Sequence, residues 1–469
     1  MSARLSQASL AEAPPEVARP AYDRRGLAAG VVHLGLGAFH RAHQAFVFDR
    51  VLNAGCPGWG IVGVSIRSPS VTDALAPQDG LFSLLEREGE ASALRIVGSI
   101  RRTLVAAKAP AKVERAIADP AVRLVTLTIT EKGYDPGERL VWEILARALA
   151  ARRAAGAPLT IASCDNLAAN GARARGALLG AVGDPALADW IGAACAFPSS
   201  MVDRITPAAT AADLGEVEAR LGLRDEAAVV AEPFWQWVIE DRFAGPAPPL
   251  GEAGVQVVTD VAPFERAKLR LLNAAHSAMA YLGLMAGFRF VHEAFAWPPM
   301  RAFVGRLWDE AAATLAPTPG LDLGAYRAAL GRRFANPSLA HRLGQIAEDG
   351  SRKLPQRVIA SLGERARQGA PSPALTLALA AWIRCLGEAD DQGRPFRMAD
   401  PSLAAIRAAL AEGAPPAEAM ARVGMIAAAD VLGGGAAESL AVAVRRLEAA
   451  GVRAALAPPA AGGRPTSSS

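Results

Sequence analysis

The sequence predicts an α/β fold in two parts: a parallel-sheet domain over residues 1–262, then a mostly α-helical domain over 263–455, with a disordered tail at 456–469. Three observations predict it. At 469 residues the chain exceeds what one hydrophobic core usually organises. From residue 31 to residue 260, short runs rich in Val, Ile and Thr alternate with segments of helical spacing, as strands joined by crossover helices do. Beyond residue 262, Ala, Leu, Arg and Glu dominate, strand-like runs cease, and Gly/Pro punctuation separates helical stretches.

Residues 1–28 are polar and proline-bearing, and are expected to be partly disordered. Strands are expected at 31–34, 60–66, 122–130 and 159–163, with helices such as 43–54 and 143–155 between them. Ligands of parallel α/β sheets gather at the carboxyl ends of the strands. Those ends carry Gly35 and Gly37, Arg67 and Ser68, Glu131 to Gly133, and Asp165 with Asn166. In the second domain the helical stretches are 264–287, 299–315, 323–334, 337–347, 374–387, 402–412, 416–423 and 437–450. The glycine run in VLGGGAAESL (431–440) lacks a preceding strand and a GKS or GKT ending, so it reads as a helix–helix turn.

Composition narrows the partners. A formal charge of +4, with no Lys/Arg block and no basic stripe interleaved with aromatics, argues against nucleic acid. The four cysteines, Cys56, Cys164, Cys195 and Cys385, are scattered without a CxxC pair, which fits a reducing cytoplasm and neither a disulfide framework nor a zinc site. No apolar signal segment opens the chain. The most apolar stretch, 271–291, contains Asn273, His276 and Arg289, so it reads as a core helix and not a membrane span. The expected partner is a small molecule, and the expected state a monomer or small homo-oligomer.

Two segments carry chemistry. In HLGLGAFHR, Gly35 and Gly37 stand where a dinucleotide turn places its first two glycines, but His40 holds the third position. The acid expected after the second strand is also missing from VSIRSPS. Spacing alone leaves a nucleotide site and a structural turn equally open. In PFERAKLRLLNAAHSAMAY, Glu265, Lys268, Asn273 and His276 share one side of an otherwise apolar helix, within roughly 140° of its circumference. A helix lying half in solvent with a Lys–Glu pair is the plain alternative. Burying four such groups demands mutual partners or a ligand. A lysine among apolar side chains loses affinity for its proton and suits a general base, while an asparagine amide can donate to an alkoxide or carbonyl oxygen. That pairing suits alcohol–ketone interconversion without metal. The six histidines form no HExxH or Cys/His cluster.

The chain resembles the polyol-specific long-chain dehydrogenases, the family of mannitol 2-dehydrogenase and fructuronate reductase. The resemblance runs from 31 to 450 through HLGLGAFHRAHQA, ALAPQDGLFSLLE, LTITEKGYD, SCDNLAANG, FPSSMVDRITP, EPFWQWVIED and KLRLLNAAHS. It implies a Rossmann-type first domain whose turn, Gly35, Gly37, Phe39, His40 and Arg41, binds the dinucleotide. It implies Lys268 as the catalytic base, Asn166 and Asn273 as the amides holding the reacting oxygen, and His276 on substrate hydroxyls. Glu265 would line the route of the lysine's proton to water. Asp203 would be a further active-site carboxylate, grouped with the cofactor residues; an ion pair with Arg204 is its alternative. The implied site lies between the two domains.

The TEKGY form and the segment IAEDGSRKLPQR (346–357) resemble the fructuronate reductase branch. A uronate carboxylate needs cationic partners, and Lys132, Arg352 and Lys353 are the candidates. They would otherwise serve the cofactor phosphates or the rim. The segment after Tyr134 is shorter than in typical members, Trp235 replaces an arginine common in relatives, and NLAANG replaces an NLPGNG-type turn. NAD is the expected cofactor, although Arg67 with Ser68 leaves NADP open. D-fructuronate/D-mannonate is the expected substrate pair, with hexitol oxidation (mannitol/fructose) the alternative. A non-catalytic nucleotide-binding sensor is the alternative from another class; it would be free to lose Lys268, Asn273, His276 and Asn166.

Overall fold

The computed structural model describes residues 2–426 and 435–457. The chain divides into two compact units between Ala262 and Pro263. Of the tail expected to be disordered at 456–469, Leu456 instead closes the last helix and is buried, while 458–469, with residues 431–434 of the glycine run, lie outside the described residues.

Strands that are apolar on both faces need cover on both faces, and the first unit supplies it. Its strands are β1 (Ala29–Leu34), β2 (Gly60–Ser65), β3 (Phe82–Glu88), β4 (Ala91–Val97), β5 (Ile100–Val105), β6 (Leu124–Leu127), β7 (Leu159–Ser163), β8 (Cys195–Ala196), β9 (Ser200–Asp203), β10 (Val229–Ala231), β11 (Gln236–Glu240) and β12 (Gln256–Val258). Six form a parallel sheet in the order β5-β2-β1-β6-β7-β8. Alternate side chains feed two apolar clusters: Val31, Ile61 and Leu124 join one, and Val32, Val62 and Val125 the other. Strand order reverses between β1 and β6, and this is the Rossmann topology, with its ligand crevice at the carboxyl ends of those two strands.

The expected strand at 122–130 is shorter in the structure. The strand ends at Leu127; Thr128 N–H still donates to Leu34 O (2.9 Å), and Thr130, with a positive φ of 65°, turns the chain out of the sheet. Two small sheets were not expected: β10-β3-β4 and β12-β11-β9. Residues 2–28 also correct the expectation of partial disorder. Leu5, Ala13 and Val17 are buried with Leu81, Leu85, Ile96 and Leu221, and the segment is tied down by backbone bonds from Leu5 N–H to Arg224 O (2.9 Å) and Ile96 N–H to Ala18 O (2.7 Å).

The second unit is helical among its described residues. Its centre is the helix Ala274–Met285, buried on every side, against which the helices Val291–Ala296, Pro298–Ala312, Leu343–Ala347 and Pro373–Cys385 pack. The helix expected at 264–287 is not regular: Ala262–Ala267 leads into a π-helical turn at Lys268–Asn273 before Ala274 resumes α geometry. The stretch at 337–347 is likewise broken. Asn336 caps Ser338 N–H (3.0 Å) to start a short 3-10 turn, and α-helix resumes only at Leu343. The helix Ala436–Leu456 kinks at Gly451 (φ 70°).

Candidate active site

The glycine turn follows β1. Gly35 has φ 110°, and a Cβ there would lie 2.1 Å from the Thr128 carbonyl oxygen, so only glycine fits. Its N–H and that of Leu36 both donate to Val64 O, at 2.9 and 3.0 Å. Gly37 differs. Its backbone is extended (φ −111°), and a Cβ would meet nothing nearer than 3.7 Å. Packing therefore does not demand glycine at 37; open space beside the backbone is what a dinucleotide turn requires.

Three further residues of that turn divide by direction. Phe39 is half-buried and stacked on His43, ring centres 5.1 Å apart. His40 and Arg41 point into the protein. His40 is fully buried and stacked on His33 at 3.3 Å, and burial first, with His33 second, keeps it well below the usual imidazole range. His33 is itself pushed down to about 3 by burial. It bonds Thr126 Oγ1 (2.8 Å) and Thr128 Oγ1 (2.9 Å) and lies 3.2 Å from Gly35 O. The Arg41 guanidinium donates to Gly37 O (3.2 Å) and Ala227 O, and burial lowers it to about 10. The side chains of His40 and Arg41, expected on the cofactor, brace the turn from behind instead.

Around the rim, Arg67 follows β2, is exposed, and is ion-paired with Glu138. Lys132 is exposed on the 3-10 turn Glu131–Tyr134. At the end of β7, Asp165 is buried and accepts from Tyr134 Oη (2.8 Å) and Thr130 N–H (2.7 Å), while Asn166 is exposed. Burial raises the Asp165 carboxyl, and burial with the Asp165 charge raises the Tyr134 hydroxyl. Asn170 escaped the sequence reading: its amide donates to Asp165 O (3.0 Å) and Ser200 O (2.7 Å), and so shapes this strand end. Asp203 is buried at the end of β9, and Arg204 donates to Glu86, Ala42 O and Glu232 O (2.9 Å).

In the second unit, Lys268 and Asn273 open and close the π-turn. An α-helix would set residues five apart about 140° from each other, whereas the wider i→i+5 turn reduces that angle and brings these two toward one face. Lys268 and His276 are buried, and Glu265 is half-buried one turn earlier. The Asn273 Oδ1 and His276 Nε2 atoms are buried without a hydrogen-bond partner among the described residues. Such atoms are normally satisfied, and a ligand hydroxyl would satisfy both. His276 packs on Phe334 (4.7 Å) and edge-on to His341 (5.2 Å); burial, followed by the charges of His341, Arg333 and Arg357, holds it neutral.

Arg352 is exposed, and Lys353 Nζ donates to Glu348 O (2.6 Å). The cations acting on His276 are Arg333 and Arg357, with Arg357 donating to Ser277 Oγ at 3.1 Å. Arg357 ends the quoted KLPQR motif and was within reach of the sequence reading; Arg333 carries no motif signal. Among the described residues no group of three His, Cys, Asp or Glu side chains could hold a metal ion, and no helix is long and apolar enough to cross a membrane.

Comparison with known proteins identifies the family. Residues 29–252 match the mannitol dehydrogenase Rossmann domain and 260–432 the mannitol dehydrogenase C-terminal domain. Mannitol 2-dehydrogenase of Pyrenophora tritici-repentis is 39% identical over 430 residues, covering 85% of this chain and 76% of that one. D-mannonate oxidoreductase of Escherichia coli is 38% identical over 418 residues, covering 83% and 86%. The solved mannitol 2-dehydrogenase of Pseudomonas fluorescens, a ternary complex with NAD and D-mannitol, superposes with a TM-score of 0.83 at 34% identity, covering 97% of this chain and 98% of that one. With both domains matched and the lysine, asparagine and histidine on one helix, the chain belongs to the mannitol dehydrogenase family of oxidoreductases acting on CH–OH groups.

Proposed function

We propose that this protein is a metal-independent oxidoreductase that interconverts a secondary alcohol and a ketone, with NAD as hydride carrier and D-fructuronate/D-mannonate as its substrate pair. The observation that carries the reading is the π-turn, which sets Lys268 and Asn273 on one face, with neutral His276 one turn further along. Lys268 Nζ takes the alcohol proton during oxidation and returns it during reduction. The Asn273 amide donates to the substrate oxygen as charge develops on it. Neutral His276 can donate to or accept from a neighbouring hydroxyl, and Glu265, three residues before Lys268, lines the proton's way to water. The dinucleotide, when bound, supplies the nicotinamide carbon that exchanges hydride with the substrate. Gly35 and Gly37 fit that group, because the open backbone at Gly37 admits a phosphate. The Arg67 charge is matched by Glu138, which favours NAD over a cofactor bearing a further phosphate.

Arg333 and Arg357 beside His276 support a substrate that carries a carboxylate. Hexitol oxidation is the second reading, supported by mannitol 2-dehydrogenases at 39% identity beside the D-mannonate enzyme at 38%. A screen of fructuronate, fructose, mannonate and mannitol with each dinucleotide, followed at the nicotinamide absorbance, separates the two. Turnover fastest with fructuronate and NADH is expected; turnover confined to fructose and mannitol would replace the uronate reading with the hexitol one.

A further inference from the structure

The turn that aligns Lys268 with Asn273 is held from outside. A π-turn inside an α-helix is a local departure from the favoured i→i+4 ladder, and it needs partners for the carbonyls that the departure displaces. Ala274 N–H is shared between Leu269 O, five residues back, and Leu271 O. The Leu271 carbonyl also accepts from the Trp308 indole N–H at 3.1 Å. Trp308 is buried on the helix Pro298–Ala312 and stacks on Phe334 (5.9 Å), the ring that packs on His276. On the other flank, Arg270, inside the turn, makes a two-pronged pair with Glu364 of the helix Ala360–Arg367, at 2.8 and 2.6 Å, and donates to Thr314 O at 2.9 Å. The Arg270 side chain is 7% exposed and that of Glu364 34%, so the pair is shielded on the arginine side, and its two-pronged geometry is specific.

We propose that Trp308 and the Arg270–Glu364 pair are positioning residues: they hold Lys268–Asn273 in its π register and thereby fix the spacing of the lysine, the amide and the imidazole. The inference rests on the reading that those three groups perform the chemistry. Return to α register would swing Asn273 away from Lys268, to about 140° around the helix. Trp308 then acts twice, on the Leu271 carbonyl and through Phe334 on His276.

The test is Trp308→Phe in the full chain, which keeps the ring and removes the donor. Amide hydrogen exchange over 268–277 is expected to quicken about tenfold. With a turned-over substrate, kcat is expected to fall about tenfold with the limb of its pH profile that reports the base displaced, a change that general loosening would not produce. Unchanged exchange overturns the proposal, and so does faster exchange with kcat and pH profile intact. If Trp308→Phe does not fold, Glu364→Gln, which keeps the shape and removes the charge, is expected to shift exchange and kcat in the same directions. A wild type without turnover on any substrate defeats the functional reading, while exchange still decides whether these residues hold the turn.

Discussion

Gly35 and Gly37 look alike in the sequence and differ in the structure, and substitutions separate them. Gly35→Ala adds a methyl against Thr128 O in a conformation that L residues avoid, and is expected to cost about 2 kcal/mol of stability in chemical denaturation. Gly37→Ala meets no clash, so stability should move by less than about 1 kcal/mol while dinucleotide affinity falls about tenfold by titration. Equal loss of stability in both variants would remove Gly37 from the ligand side. The buried histidines make a pH prediction. His33, His40 and His276 are lowered when folded, so the unfolded chain binds protons first. Their stabilisation is complete above about pH 6.5 and falls by about 1.4 kcal/mol per pH unit per histidine below it, until the folded form also takes up protons. Buried Asp49, Asp165 and Asp225 are raised and act in the opposite sense. Comparing His40→Gln with wild type cancels them: the slope below pH 6.5 should flatten by one histidine's share, and an unchanged slope contradicts a neutral His40. The sequence named the residues of this turn, but not which way each faces. Direction depends on contacts that a motif does not encode: His33, at the head of the same segment, stacks on His40, and Ala227, far along the chain, accepts from Arg41.

Four strands of the parallel sheet, β1, β2, β6 and β7, were legible because buried strands are continuous apolar runs rich in Val and Ile; β5, exposed at Arg101 and Arg102, and the two-residue β8 were not. Strands of three residues, such as β10 and β12, offer too few positions for alternation to register. The lysine helix shows a different limit. Its residues were recognised, yet a wheel with 3.6 residues per turn spreads Lys268 and Asn273 apart, and the π-turn that reunites them is written in Trp308 and Glu364, far along the chain. Arg333 and Arg357 reach His276 in the same way, from separate helical segments.

The two units could be divided from composition alone, because strand-forming residues stop where the helical unit begins. The opening segment was misread because polar and proline-rich composition hides a few well-spaced apolar anchors. Leu5 and Val17 are buried, each contributing about 1.5–3 kcal/mol. Deleting residues 2–18 should therefore lower the melting temperature of the first unit markedly; an unchanged melt would mean that the segment adds nothing to the fold. Function at this scale reduces to one claim, that a lysine and not a metal moves the proton. The most direct measurement follows nicotinamide absorbance with fructuronate and NADH, for wild type and Lys268→Ala, each with excess chelator. Wild type should turn over undiminished and Lys268→Ala about 10²-fold more slowly or less. Loss of wild-type turnover to chelator, or full turnover by Lys268→Ala, would contradict the account.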